Sequence, residues 1–66
     1  MNISFNGQVH EVGSDVTLAD LLEQFQLKSD RVAVEVNLEV VPRAQHQQFS
    51  IRDGDRIEVV TLVGGG

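Results

Sequence analysis

The chain has 66 residues, ten acidic against five basic side chains, a formal charge of −5, and no cysteine. A domain this short buries only about 60% of the surface its unfolded chain exposes, so a substrate pocket would remove much of its core; that argues for a binding or carrier module over a self-contained enzyme. The acidic balance repels phosphate backbones and disfavours nucleic acid as a partner, and the missing thiol excludes disulfides, a cysteine nucleophile and thiolate metal ligands.

Met1-Asn2-Ile3 enters a strand pattern at once, with no basic segment leading into an apolar one, so no signal peptide is expected. No apolar run approaches membrane-spanning length, and the expected compartment is the cytosol, without a membrane partner. Asn2 to Asn6 alternates, Ile3 and Phe5 against Asn2, Ser4 and Asn6, as a half-buried strand does. Asn6-Gly7 supplies the positive φ angles of a tight hairpin turn. Gln8 to Val12 is the returning strand, with Val9 its expected inward residue, and Gly13-Ser14-Asp15 ends it.

Leu18, Leu21, Leu22 and Phe25 fall at i, i+3, i+4 and i+7, one apolar stripe of a helix. Thr17 precedes the stripe and Asp20 lies three residues on, the spacing of a capping box. The helix is expected to fade over Gln26 to Ser29, with Lys28 near its negative end. Arg31 to Val36 alternates with β-branched residues and predicts a third strand. Asn37-Leu38 turns the chain into a short strand, Glu39 to Val41. Leu38 does not suit a tight primed turn, so the expectation is a wider turn or one with Asn37 alone left-handed. Pro42 stops that strand, and Arg43 to Gln48 is polar, with room for one helical turn. Phe49 and Ile51 read as plugs into the core, and Asp53-Gly54-Asp55 as a turn. His10 and His46 lack metal-ligand spacing and are expected at the surface. The last strand, Ile57 to Leu62, sets Ile57, Val59 and Thr61 against Glu58, Val60 and Leu62.

One helix with a single apolar stripe needs one sheet face, which gives a two-layer α+β domain. The first and last strands lie at opposite chain ends and pair in parallel if they meet at the sheet centre. The predicted fold is therefore a β-grasp, or ubiquitin-like, domain over residues 1–62, with a mixed sheet of four to five strands. Residues 63–66, Val63-Gly64-Gly65-Gly66, form a separate tail read as flexible. Glycine lacks a Cβ, so Gly64 and Gly65 let a narrow cleft close around the backbone, and Gly66 presents an uncrowded carboxylate. Extended residues span at most about 3.5 Å each, so the tail reaches roughly 14 Å from the sheet. Glu58, Val60 and Leu62, with Val63 next in the chain, lie on the face turned from the helix, an uncovered apolar strip beside the tail and a candidate docking surface. Arg56 and Arg43 read as solvated.

Phe5-Asn6-Gly7, Val32 to Asn37, Val40-Val41-Pro42-Arg43, Asp53 to Glu58 and the closing Val63 to Gly66 together resemble the ThiS family of thiamine-pathway sulfur carrier proteins. The resemblance covers essentially the whole chain. The family usually has glycine where this chain has Leu38. The resemblance implies that the Gly66 carboxylate is adenylated by an ATP-dependent, E1-like enzyme of the ThiF type. It implies conversion to a thiocarboxylate with sulfur from a cysteine desulfurase or other persulfide donor, and transfer of that sulfur by thiazole synthase. ATP belongs to the activating enzyme, and this chain binds no cofactor of its own. Two other readings stand beside it: the small, sulfur-carrying subunit of molybdopterin synthase, and a ubiquitin-like modifier or interaction module.

Overall fold

The computed structural model describes residues 1–62. Five strands and one helix run in the order β1 (Asn2–Phe5), β2 (Gln8–Glu11), α1 (Leu18–Gln24), β3 (Val32–Val36), β4 (Glu39–Val40) and β5 (Arg56–Thr61). Short 3-10 turns occupy Ser29–Arg31 and Arg43–Gln45. The sheet order is β2-β1-β5-β3-β4. β1 and β5 pair in parallel at its centre, and the other pairs are antiparallel. This is the mixed β-grasp sheet expected from the element order.

The helix begins where Thr17 caps it. The Thr17 hydroxyl accepts from the Asp20 N–H (3.1 Å), and the Asp20 carboxylate accepts from the Thr17 N–H (3.0 Å). The two remaining free donors of the first turn go to the loop after β4. Leu18 N–H donates to the Phe49 carbonyl (2.8 Å) and Ala19 N–H to the His46 carbonyl (3.0 Å). The start of the helix thus leaves no orphan donor. Leu18, Leu21 and Leu22 are fully buried and join Ile3, Val34, Val36, Ile57 and Ile51 in one core. Each such side chain contributes roughly 1.5–3 kcal/mol of burial. Phe25 is half-buried and closes an aromatic group, 4.3 Å from Phe5 and 5.0 Å from His10 between ring centroids.

Four expectations need correction. Val9 points outward and is 76% exposed. Opposed residues of an antiparallel pair share a face, and the register sets His10 against Ile3 and Val9 against Ser4. The inward position of β2 is therefore His10, half-buried beneath Phe25. His46 is also interior, at 2% exposure. Its loop folds back over the start of α1, and its Nε2 lies 3.0 Å from the Val41 carbonyl. The helix stops at Gln24, earlier than expected, so Lys28 lies beyond its last turn. Gln26 takes a left-handed φ of 61°, and Leu27 N–H bonds back to the Leu22 carbonyl (2.8 Å), a Schellman-type ending without glycine.

The fourth correction concerns the β3–β4 turn. Val36 pairs with Glu39, so the loop has only two residues. Both have positive φ, 53° at Asn37 and 71° at Leu38. This is a tight primed hairpin, matching Asn6-Gly7 at 49° and 85°. The same strand twist demands the same turn, and Leu38 accepts the steric penalty. That penalty is about 1–2 kcal/mol for an L-residue, and Leu38 is exposed, so its side chain recovers little by packing. We expect Leu38→Gly to raise stability by about 0.5–1 kcal/mol after the extra chain entropy of glycine is deducted, read as a higher urea midpoint at constant slope. A lower midpoint would show that Leu38 is not strained.

Among the described residues no helix is long and apolar enough to cross a membrane.

Candidate docking face

The site is built on β5. Its inward residues, Ile57 and Val59, are buried, while Thr61 on the same side is exposed. Its outward residues alternate with them: Glu58 is half-buried and Val60 is 62% exposed. Leu62 comes just after the strand at 54% exposure, with its N–H bonded to the Arg31 carbonyl (2.8 Å). Glu58, Val60 and Leu62 are thus all open to solvent. Val63, Gly64, Gly65 and Gly66 lie outside the described residues.

Two asparagines hold β5 in place. The Asn6 side chain bonds to both backbone groups of Val59: its Nδ2 donates to the carbonyl (3.1 Å) and its Oδ1 accepts from the N–H (2.8 Å). The β1 ladder ends at Phe5–Ile57, and this carboxamide continues it for one more step. The Asn6 N–H also donates to the Ile57 carbonyl (2.9 Å). At the other end, Asn37 Oδ1 accepts from the Arg56 N–H (3.0 Å), and its Nδ2 donates to Asp55 Oδ1 (3.0 Å). Asp55 Oδ2 in turn accepts from the Arg52 N–H (2.8 Å). The turn motifs are visible in the sequence. Their second role, as clips on a strand distant in the chain, is not. The one available signal is that each turn opens on asparagine, whose carboxamide both donates and accepts.

The register also enlarges the outward face beyond β5. Ala33 of β3 lies opposite Val60, and Glu35 lies opposite Glu58 and, on its other side, Val40 of β4. Val40 is 69% exposed. The alternation of β3 sets Ala33 and Glu35 against the inward valines, but which residues they face on β4 and β5 is not legible in the residues alone. Arg56 is not simply solvated: its Nε lies 3.2 Å from Glu58 Oε1. Such an exposed pair contributes at most about 1 kcal/mol. Arg43 is exposed in its 3-10 turn.

The helix side of the molecule carries an open groove of about 600 Å³ between the end of α1 and the Ser29–Arg31 turn, lined in part by Leu22, Leu27 and Lys28. Among the described residues no three His, Asp or Glu side chains gather as metal ligands. The arrangement presents an open, partly apolar sheet face along β5, a candidate docking surface.

The family model for ThiS matches residues 3–66. The chain belongs to the ThiS family. It is 35% identical to the sulfur carrier protein ThiS of Escherichia coli over 66 residues, the full length of both. Its fold matches the crystal structure of the thiamine biosynthesis protein ThiS from Geobacter metallireducens with a TM-score of 0.85, at 32% identity and full coverage of both chains. It is also 38% identical, over all 66 residues, to part of a thiazole synthase from Paramagnetospirillum magneticum. The chain spans 20% of that protein's length.

The Asn6 clip yields a direct test. Asn6→Ala removes two buried-edge hydrogen bonds and places a Cβ residue without a local partner at positive φ. The expected loss is about 2–3 kcal/mol in urea unfolding. Asn6→Gly loses the same two hydrogen bonds but adopts the positive φ without strain, so it should fall between Asn6→Ala and the parent. Equal stability of all three would mean that the clip contributes nothing.

Proposed function

We propose that this ThiS-family protein of thiamine biosynthesis carries sulfur on the carboxyl group of Gly66, with that residue as the chain terminus. The observation that carries the reading is that the family match runs to residue 66, through the glycine tail, and does not stop at the folded domain. A carboxylate resists attack because it is charged and resonance-stabilised. Reaction with ATP forms an acyl-adenylate and releases pyrophosphate, which neutralises the carboxylate and supplies AMP as a leaving group. A persulfide sulfur then forms the C–S bond as AMP departs. A thiol reductant splits the remaining S–S bond and frees the thiocarboxylate.

The acyl-transfer steps build negative charge on an acyl oxygen and need donors arranged around it. The described residues of this chain gather no such donors, so the reading assigns them to a ThiF-type activating enzyme, which also holds the ATP. The persulfide comes from a cysteine desulfurase or an equivalent donor. Thiazole synthase is the proposed acceptor, supported by the thiazole synthase that contains a stretch similar to this entire chain. Gly64 and Gly65 thread the partner's cleft. Glu58, Val60, Leu62 and Val63 dock beside it.

The test is an intact-mass measurement after incubation with the ThiF-type enzyme, ATP and a persulfide donor. The expected product gains the mass of one oxygen-to-sulfur exchange at Gly66. A lysine-linked adduct would instead identify a modifier, and an unchanged mass would contradict the carrier reading. Val60→Asp sets a charge on an exposed position, so the domain should stay folded while loading slows by about tenfold or more. Unfolding of that variant would show that Val60 packs inward.

A further inference from the structure

The outward sheet face is larger than the strip along β5, and its shape and charge together specify what covers it. Ala33 is the small residue at its centre. Opposite it stands Val60, and Val40 rises from β4 on the far side of β3. Because alanine fills so little space between two valines, a recess of about 120 Å³ remains over β3. Its walls are Val40 and Val60, both largely exposed. Glu35 and Glu58 line it as well, directly opposed on neighbouring strands. Opposed positions of this kind hold Cβ atoms about 4.5–5.5 Å apart, and like charges there destabilise a sheet. Arg56 answers Glu58 through one carboxylate oxygen. Among the described residues no Lys, Arg or His lies within salt-bridge distance of Glu35.

A second copy of this chain does not suit that face. Two such faces brought together would oppose four carboxylates, on chains that each carry a charge of −5. A purely apolar partner would desolvate Glu35 without compensating it. A long side chain with an apolar stem and a cationic head satisfies both halves of the site. Between two carboxylates, a planar guanidinium does so with several parallel hydrogen bonds, which an ammonium does not match.

We infer that the docking surface extends across β3 and β4 and receives an arginine side chain of the partner protein, its stem in the recess between Val40 and Val60 and its guanidinium between Glu35 and Glu58. The inference rests on the carrier reading for the identity of that partner, the activating enzyme. Glu35 sets specificity here: it attracts a cationic surface and disfavours an acidic or purely apolar one.

The test titrates the ThiF-type activating enzyme with the full-length chain and three variants. Glu35→Gln removes one carboxylate at an exposed position. Ala33→Leu fills the recess. Glu23→Gln removes an equal charge from the helix side. Glu35→Gln should raise Kd by about tenfold or more, the scale of a lost charge-assisted hydrogen bond. It should leave the melting temperature unchanged or higher, since it relieves the opposed charges. Ala33→Leu should weaken binding comparably, and Glu23→Gln by less than about twofold. If Glu35→Gln and Ala33→Leu bind as the parent does, the recess holds no partner side chain and the inference is wrong. If Glu23→Gln weakens binding as much as Glu35→Gln, the effect is net charge and the inference is equally wrong. A parent chain that binds yet gains no sulfur would contradict the carrier reading and leave this result standing.

Discussion

The parallel pairing of β1 with β5 is the constraint on which the molecule's usable surfaces depend. It places the last strand at the sheet centre, between β1 and β3, although that strand is last in the chain. Parallel neighbours cannot be joined by a short turn, so the chain between them must cross the sheet. α1 makes that crossing and covers one face as it does so. The pairing itself is short, Ser4 to Arg56 and Phe5 to Ile57. Backbone contacts extend it, Ser4 N–H to the Asp55 carbonyl (2.9 Å) and Gly54 N–H to the Asn2 carbonyl (2.7 Å). The Asn6 carboxamide then carries it to Val59, past the point where β1 has turned away. The last strand is thus held on both sides.

With one helix and five strands, the fold buries one sheet face and leaves the other open. The buried side holds the leucine stripe and the inward residues of β1, β3 and β5. The open side holds Val60, Val40, Ala33 and the two opposed glutamates, a mixture that does little for stability. Contiguous exposed apolar surface of this kind is a common mark of an interaction site. The helix side makes the domain stable, and the outer side is left free for the docking proposed above.

Much of this is readable in the residues. The alternation of β3, the leucine stripe, the Thr17–Asp20 box and the Asn6-Gly7 turn each have a local cause, and each appears in the structure as read. The reading fails where distant elements decide. Val9 reads as inward because it is the apolar residue of its strand, but the register is fixed by Ile3, and the histidine beside it takes the interior position. His46 lies in a polar stretch and reads as surface; only the fold of that loop over the helix start buries it. Leu38 reads as hostile to a tight turn, yet pairing of β3 with β4 imposes one. For the site, the outward set Glu58, Val60 and Leu62 comes from period-two alternation. The same alternation turns Ala33 and Glu35 outward, but their meeting with Val40, Glu58 and Val60 requires the register, which no local pattern encodes.

The central claim is that the reactive group is the carboxyl end of the backbone and that the folded body positions it for other catalysts. A chain extended by a single alanine after Gly66 tests this most directly, because its folded domain is unaltered. In the loading reaction with activating enzyme, ATP and persulfide donor, the account predicts no gain of sulfur in the intact mass while the unextended chain is converted. Sulfur gained by the extended chain, with the added alanine still attached, would contradict it.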